Sequence, residues 1–212
     1  MKICLIGSIA LAFLLTSCSN SSDKKATPNK VDTGATKKAV TKNQQPDANT
    51  KKPPILNIVD TVSSKRIIVC MSDSAANYER IAIKLAQIYG AKLADVFRKN
   101  KITPAGPPMA WYKSQKAPYF FEAGIPVNKR PAKLAKGVFI RETNADSVIL
   151  VHFFGPYDLI PQGYAAVKEW MKDNKRSFSG GAYEIYITDP LDKKGKPVDP
   201  YKVQTDIIMT RK

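Results

Sequence analysis

Cysteine and histidine are scarce, with three Cys and one His among 212 residues. That scarcity excludes a disulfide scaffold, a zinc-finger cluster and a multi-histidine metal centre, so neither a metal nor a cofactor is expected. Acid is short relative to base: 18 Asp plus Glu against 34 Lys plus Arg leave a formal charge of +16. Such a balance suits nucleic acid, an anionic membrane surface, or a charged tail. No recognition helix, zinc spacing or RNP-type aromatic strand accompanies the charge, so no nucleic-acid partner is expected.

Near the N-terminus, Lys2 precedes an apolar run over residues 3–15, the pattern of a secretory leader and too short for a comfortable membrane span. It ends at Leu15-Thr16-Ser17-Cys18, which resembles the lipobox of bacterial lipoproteins. The resemblance implies a leader over 1–17, lipidation of Cys18, and a protein held on a membrane of the bacterial cell envelope, periplasmic or surface-facing. Acyl chains would attach it at roughly 0.8 kcal/mol per buried methylene. Residues 19–54 carry no aromatic and only two Val, so 18–54 is expected to be a disordered tether following the lipidated Cys. The tether holds eight Lys and three Asp, net +5, while the remainder from residue 55 has 25 basic and 15 acidic residues, net +10. Among the scattered bases of that part are Lys172, Lys175 and Arg176, and Lys193, Lys194 and Lys196. Cys70 lies in an apolar run and is expected to be a buried hydrophobe.

The part over 55–212 reads as two halves, about 58–130 and 138–212. In the first, a strand-like run at 66–71 precedes a helix over 74–100, capped by Ser72, Asp73 or Ser74, with Ile81, Leu85, Ile88, Tyr89, Leu93, Val96 and Phe97 at helical spacing. A turn followed by a strand occupies 106–112, and another strand is expected at 119–127. In the second, a strand at 148–154 leads through Gly155-Pro156-Tyr157-Asp158 to a helix bearing Ile160, Tyr164, Val167, Trp170 and Met171, then strands at 180–186 and 203–210. A shift of 74 places Leu93 on Val167, Phe97 on Met171, Asn100 on Asn174, Gly106 on Gly180 and Tyr112 on Tyr186. Duplication of a strand, helix, strand, strand unit predicts an α+β fold: an antiparallel sheet, two helices on one face, and a groove between the halves.

One carboxylate breaks the repeat. In Tyr183-Glu184-Ile185-Tyr186 the strand period puts Glu184 and Tyr186 on one face, and the matching residues of the first half are Ala110 and Tyr112. Periodicity alone allows a solvent-facing or ion-paired Glu184. It equally allows a pocket acid that binds a cation beside aromatic faces, or one that acts as general acid or base.

The blocks Gly106-Pro107-Pro108-Met109-Ala110-Trp111-Tyr112, Phe121-Glu122-Ala123-Gly124-Ile125-Pro126-Val127, Phe154-Gly155-Pro156-Tyr157 and Tyr183-Glu184-Ile185-Tyr186-Ile187-Thr188-Asp189-Pro190 resemble those of the GyrI-like, or bacterial transcription activator effector-binding, domain. The resemblance covers about residues 58–212. It implies a duplicated βαββ fold whose groove takes small, often cationic or amphipathic molecules, with Glu184 as the central ligand-contacting acid and Tyr186, Tyr112 and Tyr157 as aromatic contacts. In some stand-alone members it further implies hydrolysis of cyclopropane-containing electrophiles. The family's attached helix-turn-helix is replaced here by the anchor and tether, so transcriptional activation is not expected. The expected partners are a small molecule and, through the lipid, a membrane; a monomer is expected. Related folds include haem-binding modules, but His152 in its apolar run reads as a satisfied strand histidine and not as an axial ligand.

Overall fold

The computed structural model describes residues 52–114 and 116–212. The expected leader, the lipidated Cys18 and all but the last residues of the tether lie outside the described residues. Eight strands form one antiparallel sheet: β1 (Ile55–Val62), β2 (Arg66–Ala75), β3 (Met109–Tyr112), β4 (Tyr119–Pro126), β5 (Val138–Thr143), β6 (Ser147–Phe154), β7 (Phe178–Tyr186) and β8 (Gln204–Arg211). Their spatial order is β1-β6-β8-β7-β3-β4-β2-β5. Exchanging the first four strands with the last four turns this order into its own reverse. The halves are therefore related by a pseudo-two-fold axis between β3 and β7, and the expected α+β class with a duplicated unit holds.

The sequence reading omitted β1 and β5, and each belongs to the other half's end of the sheet. β1 pairs with β6 and β5 with β2. Both ladders keep one register: moving four residues past Val62↔Ser147 lands on Arg66↔Thr143. Residues 55–71 and 138–154 are thus a single long ribbon, interrupted where 63–65 crosses 144–146. Hydrogen bonds pin the crossing: Ser63 N–H donates to the Asp146 carbonyl at 2.9 Å, Ser63 Oγ to the Asn144 carbonyl at 2.9 Å, and Thr143 Oγ1 to the Ser64 carbonyl at 3.0 Å. Because three residues link an edge strand to one near the opposite edge, the sheet must curl until its ends meet there.

The first helical segment runs as α1 (Tyr78–Gln87), a π-helical stretch (Ile88–Lys92) and α2 (Leu93–Asn100). It starts later than the spacing suggested because β2 extends to Ala75; the cap is Asn77, whose side chain accepts from Arg80 N–H at 3.1 Å. In the second half a 3-10 turn (Tyr157–Leu159) leads into α3 (Ile160–Asp173), with Leu159 at the cap position and Pro161 in the first turn. The two helix ends match bond for bond at the shift of 74. Asn100 Nδ2 donates to the Val96 carbonyl at 2.9 Å and Asn174 Nδ2 to that of Trp170 at 2.8 Å. Lys101 and Lys175 both adopt left-handed backbone, and Ile102 and Arg176 donate back to Phe97 and Met171.

Strand alternation sorts the core into layers. Val69, Ala110, Phe121 and Ala123 meet α1 and α2, while Ile149, Val151, Phe153 and Ile207 meet α3. Ile68, Cys70, Met109, Tyr183 and Ile208 pack on the reverse face. Each helical segment covers its own half, which leaves the β3–β7 seam between them.

Gly124 is required where β4 presses on β2. A Cβ there would collide with Cys70 Sγ, and would come within 2.6 Å of Ile68 Cγ2 and 2.8 Å of the Val69 carbonyl. Gly124→Ala is expected to cost about 1–3 kcal/mol through overpacking. Urea denaturation measures it, with Gly181→Ala, where nothing lies within 4 Å, as the near-neutral control.

Candidate functional site

The seam between the helical segments is a cleft of about 910 Å³. One wall is α1, with Tyr78, Ala82, Leu85 and Tyr89; the floor is β3 and β7, with Tyr112, Glu184 and Tyr186. The other wall comes from the 3-10 turn, with Tyr157 and Asp158, and from the segment after β7, with Ile187 and Asp189. Glu184, Tyr186, Tyr112 and Tyr157 therefore converge. Ala110 is not on the lining; it is fully buried as the direct cross-strand partner of Glu184, so the pseudo-axis passes through this pair.

Strand period explains why Glu184 and Tyr186 share a face, and the duplication explains why Tyr112 joins them. Tyr186 donates to Glu184 Oε2 at 2.9 Å, and the hydroxyls of Tyr112 and Tyr186 lie 2.8 Å apart across the axis. With the Tyr186 proton committed to the carboxylate, Tyr112 is the donor to Tyr186. Tyr164, on α3, donates to Glu184 Oε1 at 3.1 Å, so both carboxylate oxygens are met. Tyr157 stands edge-on to Tyr186, with ring centres 6.0 Å apart at 82°, and Tyr89 lies 6.4 Å from Tyr186. Two further hydroxyls fix the walls: Tyr78 donates to the Tyr157 carbonyl at 2.6 Å and Tyr89 to the Met109 carbonyl at 2.8 Å.

Tyr78, Tyr89 and Tyr164 were not recognised as site residues. A tyrosine at helical spacing looks the same in sequence whether it fills a core or faces a cleft. The shift of 74 sets Gly90, which lines the cleft, against Tyr164, just as it sets Ala110 against Glu184. Acid and donor are thus both replaced by small residues in the first half, a correspondence readable from the repeat.

Burial raises the Glu184 carboxyl to about 7, against the pull of the Tyr186 and Tyr164 hydrogen bonds. Burial, then the neighbouring Glu184 charge, keeps Tyr89, Tyr112 and Tyr186 well above the ordinary tyrosine value, so all three remain neutral donors. Four carboxylates line the cleft, Glu79, Asp158, Glu184 and Asp189, and no Lys or Arg does. In a domain with a net positive charge this is a local negative field. Among the described residues no cluster of His, Cys, Asp and Glu could hold a metal ion. His152 lies away from the cleft: its Nδ1 is 2.8 Å from Asp206 Oδ1, its partner across the β6–β8 ladder. Cys70 is buried, and that burial pushes its thiol up to about 12, which leaves it protonated.

No family model matches the chain, and no curated protein does. Among solved structures the chain is similar to the EcmrR C-terminal domain, with TM-score 0.58 and 15% identity over 75% of this chain and 96% of that one. It is similar to EcmrR in its DNA complex, with TM-score 0.61 and 18% identity, covering 74% of this chain and 57% of that one. A conserved protein from Listeria innocua aligns with TM-score 0.51 and 11% identity, over 77% and 94% of the two chains. The likeness is one of fold, and it agrees with the fold that the GyrI-like resemblance implies. The chain spans little more than half of the EcmrR chain in the DNA complex.

The raised Glu184 value makes stability depend on pH. Between the ordinary value of 4.5 and about 7 the native state holds a proton that the unfolded chain has released. This group's contribution is therefore greatest below 4.5, declines as pH rises through that window, and is flat above it. The loss is on the order of 3 kcal/mol. Glu184→Gln should be more stable than wild type above neutrality and lack the decline; urea denaturation across the window, unchanged in slope by the substitution, would contradict this.

Proposed function

We propose that the cleft captures an amphipathic organic cation, its charge set against Glu184 and its apolar body between Tyr78, Tyr89, Tyr112 and Tyr157. The observation that carries this reading is a buried carboxyl at the floor of an aromatic cleft whose lining contains acids and no base. Burying an unpaired carboxylate is costly, and an incoming cation offsets that cost while the rings meet its positive charge with their faces. The lipobox-like Leu15-Thr16-Ser17-Cys18 supports a further part of the reading, that the domain works on a membrane-anchored lipoprotein of the bacterial envelope.

A cation favours the ionised carboxyl, so binding expels a proton whenever the solution lies below pH 7. Affinity for a lipophilic cationic dye should hold steady above neutrality and fall about tenfold per pH unit well below it. Glu184→Gln should bind more weakly at high pH and show little pH dependence. Titration calorimetry in buffers of different ionisation enthalpy counts the protons released. Equal affinity of wild type and Glu184→Gln for the dye would sink the role of the charge.

A second reading is favoured by one feature, a carboxyl whose proton is balanced near neutrality and which touches a two-tyrosine relay. Such a group can serve as general acid or base in opening a strained electrophile of the cyclopropane type. Protonation of Glu184 would reverse the relay, with Tyr186 accepting from the acid and donating to Tyr112. Turnover of such a compound that Glu184→Gln abolishes supports it; turnover indifferent to that substitution removes it.

A further inference from the structure

The connections after β3 and after β7 are equivalent in the repeat, yet very unequal. Residues 113–118 suffice in the first half, whereas 187–203 fill the same place in the second. The longer one is ordered by its own bonds. Leu191 and Pro197 bridge, Val198 N–H donates to the Pro190 carbonyl at 2.9 Å, and Asp192 N–H donates to that of Lys196 at 2.8 Å. The excursion's three acids all accept from nearby backbone N–H groups: Asp189 Oδ1 from Leu191, Asp192 Oδ1 from Lys194 and Lys196, and Asp199 Oδ1 from Tyr201, so the lysines at its tip face no carboxylate of their own turn that is not already engaged. Lys193, Lys194 and Lys196 are all exposed on this turn, and none of them is in an ion pair among the described residues.

Apolar surface sits beside that charge. Ile187 and Leu191 line the cleft and yet are 42% and 49% exposed, so they form its lip. On α1, Ile83 is 49% exposed and shares the helix stripe of Glu79 and Ala86, which line the opposite wall. The three lysines lie outside the lining that carries Glu79, Asp158 and Asp189, so a basic turn beside two bare aliphatic side chains on the lip can meet an anionic lipid surface with lysines at the headgroups and aliphatics at the acyl boundary.

We propose that the 187–203 excursion is a membrane-docking hairpin that seats the mouth of the cleft against an anionic bilayer. Occupants of the cleft then arrive from the lipid phase. This surface is separate from Glu184, so docking does not depend on what the cleft binds. Each lysine near such a surface strengthens attachment roughly fivefold, and three together on the order of a hundredfold.

The test uses the full chain with vesicles of phosphatidylglycerol mixed into phosphatidylcholine, and with vesicles of phosphatidylcholine alone. Amide hydrogen exchange is followed across 187–198. Exchange there is expected to slow on the anionic vesicles only, to recover in high salt, and to recover in the triple variant Lys193→Glu, Lys194→Glu, Lys196→Glu. These positions are exposed, so the variant folds, and exchange in β2 and β4 should match wild type and verify it. Glu184→Gln should dock like wild type, which keeps this test independent of the cleft's ligand. The proposal is overturned by unchanged exchange at 187–198 while the chain sediments with anionic vesicles, by failure to sediment with them, or by protection that neutral vesicles produce equally.

Discussion

A carboxyl group almost wholly withdrawn from water has to be compensated from within, and in this fold two phenols do so from different elements. Tyr186 reaches Glu184 from two residues along β7, and Tyr164 reaches it from α3. The first bond fixes the carboxyl against the floor of the cleft and the second fixes the floor against the helix above it. Because the compensation is by neutral donors and not by a Lys or Arg, the carboxyl keeps a labile proton and its charge is available to a ligand. The aromatic walls extend the same logic. Tyr78 and Tyr89 spend their hydroxyls on the carbonyls of Tyr157 and Met109, which turns their rings toward the space and holds its width.

That width is also set from behind. The ribbon of 55–71 and 138–154 closes the sheet at the crossing of 63–65 and 144–146, and the reverse face is filled by Ile68, Cys70, Met109, Tyr183 and Ile208. The seam carrying Glu184 therefore lies on a sheet that is tied at both ends and packed underneath. An interruption in the first helical segment adds room where the cleft needs it. The π-helical stretch contains Tyr89 and Gly90, which both line the cleft, in the place where an uninterrupted helix would keep its regular spacing.

Much of this was legible in the chain and some of it could not be. The second-half helix, the face shared by Glu184 and Tyr186, and the duplication all rest on periodicities that tertiary packing preserved. β1 escaped because its residues alternate between exposed and half-buried, with none fully buried; its place is secured by the ladder to β6 and not by an apolar face of its own. β5 is six residues long and equally shallow. The segment Gly155-Pro156-Tyr157-Asp158 is expected to lead directly into the second helix, but a 3-10 turn intervenes and Leu159 takes the cap position. Of the site, the repeat marks the strand residues and, through the match of Gly90 with Tyr164, the second donor, while Tyr78 and Tyr89 sit in a helix where a ring facing space and a ring facing core obey the same spacing.

The pair Ala110↔Glu184 has a consequence for how such a protein can arise. A perfect duplication would set two glutamates side by side on neighbouring strands at the axis itself, and like charges directly opposite one another repel. Two copies that both kept the acid would have to hold a proton between them, one carboxyl staying neutral so that the other could ionise. Replacement of one acid by Ala110 removes that coupling and leaves a single carboxyl that titrates by itself. A molecule held against that single charge must lie off the axis, so a scaffold of nearly equal halves is obliged to distinguish one end of its guest from the other.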